Sequence, residues 1–125
     1  MTFPADLKTL LTGAGLSNIV NGQLPHSPDD VIMTRVTGGF EALETHDSVV
    51  YERPTAQVLV RASTFAIAWS RALTAQAALR KRNFVVNGTR YLSLKPTDGL
   101  VDLGKDSQKP GRHEVSFNIT AVMGV

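Results

Sequence analysis

The chain has no cysteine among its 125 residues, so it can use neither a disulfide framework nor a thiolate metal site. It also lacks any apolar run approaching the roughly 18 residues needed to cross a bilayer. The longest such stretch, around residues 65–69, is closed off by Arg61 and Arg71. No basic-then-apolar leader opens the chain, which argues against export by a signal peptide; folding in a cytosol fits this and the missing cysteine. Charge of one sign is scarce too. Thirteen Lys and Arg against 11 Asp and Glu leave a net charge of +2, well short of the clustered excess expected of a nucleic-acid binder. There is no internal repeat and no low-complexity tract.

Catalytic signatures are equally wanting. None of the three histidines, His26, His46 and His113, stands at i, i+4 from another, and no HExxH, glycine-rich phosphate loop or Gly-x-Ser-x-Gly elbow occurs. Thr12-Gly-Ala-Gly15 lacks a third glycine and a preceding strand, so it reads as a helix end. Asp29, Asp30, Glu41, Glu44 and Asp47 fall in expected loops or strand starts and read as solvated acids; acid–base work needs a shielded cleft. His113 reads as a polar strand-edge residue, and His46 has the type to titrate at an interface without anything requiring it. The residues point to no enzyme, no metal and no cofactor.

What is present is a foldable pattern. At 42% hydrophobic and 19% charged, the chain is too apolar for disorder, and residues 1–125 make one domain that buries about two thirds of its unfolded surface. A short helix comes first. Pro4 and Asp6 suit its first turn, Leu7, Leu10, Leu11 and Ala14 form its stripe, and Gly13 and Gly15 end it. Asn21-Gly22, Pro25 and Pro28 mark a turn-rich connector. Residues 31–36 read as a strand stopped by Thr37-Gly38-Gly39. From 37 to 54 the pattern breaks, with only Val49-Val50-Tyr51 able to pair. An extended mobile arm and an ordinary surface loop with a short edge strand fit this stretch equally. In the next strand, residues 56–63, Ala56, Val58, Val60 and Ala62 share one face, and Gln57, Leu59 and Arg61 the other.

The main helix is expected over about residues 64–82, burying Phe65, Ala68, Trp69, Ala72, Leu73, Ala75 and Leu79. Its alanines favour helix and permit close approach to a sheet. Trp69, inside the stripe, reads as a core anchor between helix and sheet. Arg80-Lys81-Arg82 falls at this helix's end, where cations complement the dipole, so a solvated helix end is preferred to a phosphate-binding patch. Asn87-Gly88 is a type I′ hairpin turn that pairs Val86 with Thr89, Val85 with Arg90 and Phe84 with Tyr91. One hairpin face then carries Phe84, Val86 and Tyr91, the other Val85, Leu92 and Leu94. One helix layer covers one face of a sheet and leaves the other for a partner. Residues 96–111 read as a second long loop. In the closing strand Val115, Phe117, Ile119, Ala121 and Met123 alternate with Glu114, Ser116, Asn118 and Thr120. The class is α+β: a mainly antiparallel sheet, two helices on one face, and long mobile loops.

Several blocks, in order, resemble the tail-terminator (minor capsid) proteins of long-tailed bacteriophages. They are Val36-Thr37-Gly38-Gly39; Tyr51-Glu52-Arg53-Pro54 followed by Gln57-Val58-Leu59-Val60-Arg61; the alanine-rich helix; Asn87-Gly88-Thr89-Arg90-Tyr91; and Leu103-Gly104-Lys105-Asp106 with the Gly111-Arg112 spacer and the Phe117-Asn118 strand. The likeness runs from about Asp29 to Met123. Lys105 stands where arginine is common in that family, which weakens bidentate carboxylate pairing there.

The resemblance implies a structural virion protein, made in the host bacterial cytoplasm. Its ring, typically of six subunits, caps the finished tail tube at its head-proximal end, contacts the tube and head–tail connector proteins, and lets DNA pass without sequence-specific binding. A head-completion protein on the connector side is a related reading. Under either, Glu41, Glu44, Tyr51, Glu52, Arg53, Arg61, Lys105, Asp106 and Arg112 are the expected subunit or partner contacts, arginines facing carboxylates. No membrane partner is expected. The competing class is a small nucleic-acid-binding module using Arg80, Lys81, Arg82, Arg90 and the hairpin aromatics.

Overall fold

The computed structural model describes residues 3–25, 29–44, 50–105 and 112–124, with the backbone alone at 39–44 and 50. Along the chain run α1 (Phe3–Gly13), β1 (Ile19–Asn21), β2 (Val31–Glu44), β3 (Val50–Ala62), α2 (Phe65–Ala78), β4 (Lys81–Val86), β5 (Thr89–Pro96), β6 (Val101–Lys105) and β7 (His113–Gly124). The seven strands make one sheet in the order β1-β2-β3-β7-β5-β4, and β6 pairs with β7 off this path. Only β1 with β2 is parallel; the other pairings are antiparallel. The fold is therefore α+β with a mainly antiparallel sheet, as its periodicities indicate.

One face of the sheet carries the core. Period-2 alternation places Ala56, Val58, Val60 and Ala62 of β3 beside Val115, Phe117, Ile119, Ala121 and Met123 of β7. Phe3, Leu7 and Leu11 of α1 and Ala68, Ala72 and Ala75 of α2 close over them in one cluster. Thr64 caps α2, its hydroxyl accepting from the Ile67 N–H at 3.2 Å. Helix α1 ends in paired bonds, Leu16 N–H to the Leu11 carbonyl at 3.2 Å and Gly15 N–H to Thr12 at 3.0 Å, the Schellman arrangement.

Five sequence expectations are corrected. First, β2 does not stop at Thr37-Gly38-Gly39. Gly38, at φ +150°, absorbs a register shift after Val36, and the strand continues to Glu44. Second, the stretch read as a second long loop contains β6, a short strand at the edge of β7. Third, the connector after α1 contains β1. Fourth, α2 ends at Ala78, so Lys81 and Arg82 lie in a strand rather than at a helix end. Fifth, Trp69 is half-buried at the margin, against a half-exposed Phe65 whose ring centroid lies 5.5 Å away, and Leu73 is 48% exposed. The alanines, not the large side chains, make the central helix–sheet contact.

The hairpin faces also differ from simple alternation. A bulge between Tyr91 and Ser93 in β5 turns both Tyr91 and Leu94 into the core, leaving Val85 61% exposed on the other side. Asn83, at φ +49°, lets β4 follow the same kink.

Candidate functional site: the hairpin arm and the far face of the sheet

Two regions hold most of the residues that the sequence singles out. The first is the β2–β3 hairpin. Phe40 pairs with Arg53, Leu43 with Tyr51 and Glu44 with Val50, so Glu41 and Glu44 lie on one strand and Tyr51, Glu52 and Arg53 on the other. Glu52 and Arg53 are exposed and Tyr51 is half-buried. Strand β7 supports the β3 side through Glu52 with Met123 and Tyr51 with Gly124. Among the described residues, β1 covers the outer edge of β2 only at positions 32–34. Beyond them β2 presents a line of backbone donors and acceptors to whatever lies alongside.

The second region is the sheet face away from the helices, at the other end of β3. Arg61 and Arg112 are both 1% exposed. The Arg61 Nε–H donates to the Asp29 carbonyl at 3.2 Å, and an Arg112 guanidinium nitrogen lies 3.6 Å from the Asp29 carboxylate. Arg61 stands opposite Glu114 in the β3–β7 register, and Asp30 accepts from the Ser63 N–H at 3.2 Å. These arginines fasten the connector before β2 to the sheet. Burying a guanidinium demands such partners, and the partners here belong to the same chain. Arg61 and Arg112 are therefore buried within the chain, where they tie the connector to the sheet. Lys105, exposed at the end of β6, pairs with His113 close to this cluster. Asp106 lies outside the described residues. Eight strand positions separate Arg53 from Arg61, about 26 Å along β3, so the structure divides the expected contacts between opposite ends of one strand.

A third arrangement escapes sequence reasoning. Asp6 of α1 is fully buried, and its carboxylate accepts from the Tyr91 hydroxyl and, at 3.0 Å, from the Asn87 amide. Tyr91 also stacks on Phe84, centroids 5.0 Å apart and rings 6° from parallel. Burial first, then the hydrogen bond and charge of Asp6, hold the phenol proton far more tightly than usual. The sequence separation of more than 80 residues gives no local signal for this contact.

Among the described residues no group of three or more His, Cys, Asp or Glu is placed to hold a metal ion. Among those residues no helix is long and apolar enough to cross a membrane.

No protein-family model matches the chain, and no curated protein matches its sequence. Its fold is similar to that of a chain in the virion of a native gene transfer agent particle, with a TM-score of 0.61. The likeness covers 98% of this chain and 95% of that one at 12% identity, and is one of fold.

Proposed function

We propose that this chain is a structural virion protein that forms a ring at the head-proximal end of a phage-like tail, ending the tube and joining it to the head-side connector. The observation that carries the proposal is the whole-length fold likeness to a chain of a gene transfer agent virion. The ordered sequence blocks shared with tail-terminator proteins supply the finer role, including a ring of about six copies around a DNA passage.

The sheet suits a closed ring. A ring repeats one heterologous contact, so each subunit needs two unlike complementary surfaces. β2 beyond β1 and β4 lie on opposite sides of the sheet, and among the described residues neither has an outer strand there. The hairpin arm, with Glu41, Glu44, Tyr51, Glu52 and Arg53, reaches a neighbour or the tube, and Lys105 contributes at the other end of the sheet. This chain has no catalytic role in the proposal, and its charges act through charge-assisted contacts between subunits.

The test is to replace residues 40–53 by a two-residue Asn-Gly turn in the particle that makes this protein, then image the products by electron microscopy. Overlong tubes and unjoined heads are expected, with the purified variant melting within a few degrees of the parent. Tubes of normal length beside unjoined heads would move the role to head completion. Intact particles would overturn the proposal.

A further inference from the structure

Where β4 and β5 kink together, an open groove of about 670 Å³ runs beside the ladder, lined by Arg80, Lys81, Arg82, Asn83 and residues 92–95. Arg80, Lys81, Arg82 and Lys95 are all exposed, and among the described residues no carboxylate lines the groove. Among the described residues none of these four cations is ion-paired; Lys81 instead holds its ammonium 5.4 Å from the Phe84 ring centroid. Because α2 ends before them, no helix terminus accounts for three of the four.

We infer that this groove binds the sugar-phosphate backbone of nucleic acid without reading its sequence. Arg80 and Arg82 are two positions, about 7 Å, apart and Lys95 lies about 5 Å across the ladder, while Lys81, in register with the buried Leu94, reaches the groove from the edge and also borders α1. That spread suits successive charges of a polyanion better than one small anion, which needs converging donors. Exposed lysine and arginine neutralise phosphates and release counterions, which supplies affinity with no base contact. Asn83 is the one amide among the lining residues and stands beside Leu92, Ser93 and Leu94, so cations that meet phosphates outnumber groups that could read a base edge. Among the described residues β4 is the last strand of the sheet, with no strand paired to its outer edge beside the cations. The inference does not rest on the ring role: it is read on the isolated chain, and the ring role on assembled particles.

The experiment is fluorescence anisotropy of labelled duplexes of two unrelated sequences, titrated with the full chain across a salt series. Neutralising four phosphates predicts a slope of log Kobs against log[salt] of about −3 to −4 for both sequences, roughly a hundredfold weakening between 50 and 200 mM salt. The quadruple change Arg80→Gln, Lys81→Gln, Arg82→Gln and Lys95→Gln should flatten the slope to near zero, and Arg82→Gln alone should lower it by about 1. A control pair away from the groove, Lys8→Gln with Arg35→Gln, should leave it unchanged, with circular dichroism reporting the fold of each variant. Equal slopes in the parent and Arg82→Gln would overturn the inference. So would absence of DNA binding at about 50 mM salt, and if poly-L-glutamate bound there instead, the groove would belong to an acidic polypeptide.

Discussion

A carboxylate in the first turn of a helix ordinarily faces water and complements the dipole, which is how Asp6 reads in sequence. Its complete burial shows the limit of that reading: the residue type marks the helix start, while the partners that make burial tolerable arrive from the β4–β5 hairpin. Arg61 and Arg112 misled in the same way, since a long cation in a strand or loop is usually solvated and only the tertiary fold brings Asp29 to both. Tyr91→Phe should leave Asp6 short of one donor and lower stability at neutral pH by about 1–3 kcal/mol. The alkaline limb is the more specific readout. The phenol's folded pKa lies well above the ordinary value near 10. Its contribution is therefore complete below pH 10 and is lost as the pH rises towards the folded value, because the unfolded chain sheds the proton first. Parent stability should fall above about pH 10 by up to 1.4 kcal/mol per unit from this group, and Tyr91→Phe should fall less steeply. Urea titrations between about pH 9 and pH 11 will distinguish the two.

Elements with one unambiguous period were legible. The alternation in β7 and the buried face of β3 is a direct image of the pleat, and Asn87-Gly88 specified its turn because positive φ is required at both positions, observed at +49° and +80°. Gly88→Ala should consequently lower stability by about 1–2 kcal/mol, the penalty of a Cβ in left-handed backbone, even though no atom lies within 4 Å of that Cβ. Thermal melts against a Gly99→Ala control, where the backbone is not left-handed and the space is also open, will test this. The misread elements share a cause, because their signals compete. Arg80, Lys81 and Arg82 extend a good helical composition, and nothing before Phe84 announces a strand. Gly38-Gly39 reads as punctuation, but a glycine inside a long strand is also how a bulge is made. β1 and β6 are three and five residues long and lie at edges, too short for alternation to show. The exposed basic groove of β4 was hidden by the same misplaced helix end.

At the scale of the whole molecule, the sheet is organised around β7. It pairs with β3 along one edge, and with β6 and β5 in turn along the other. Val58 meets Phe117 and Leu94 meets Ala121, so the central ladders join segments far apart in the chain and the sheet cannot be assembled from neighbouring hairpins alone. A chain stopped after Arg112 should be unfolded: it keeps the sequences of α1, α2 and the β4–β5 hairpin, but has open edges on β3 and β5 and lacks Val115, Phe117, Ile119, Ala121 and Met123 from the apolar face. Far-ultraviolet circular dichroism and limited proteolysis of that fragment, beside the full chain, will check this expectation. During translation the consequence is one of timing. Until residues 113–124 leave the ribosome, the nascent polypeptide has no native resting state and depends on chaperones to keep its two open strands from pairing with other chains. A nonsense codon anywhere upstream of β7 should then behave as a null allele.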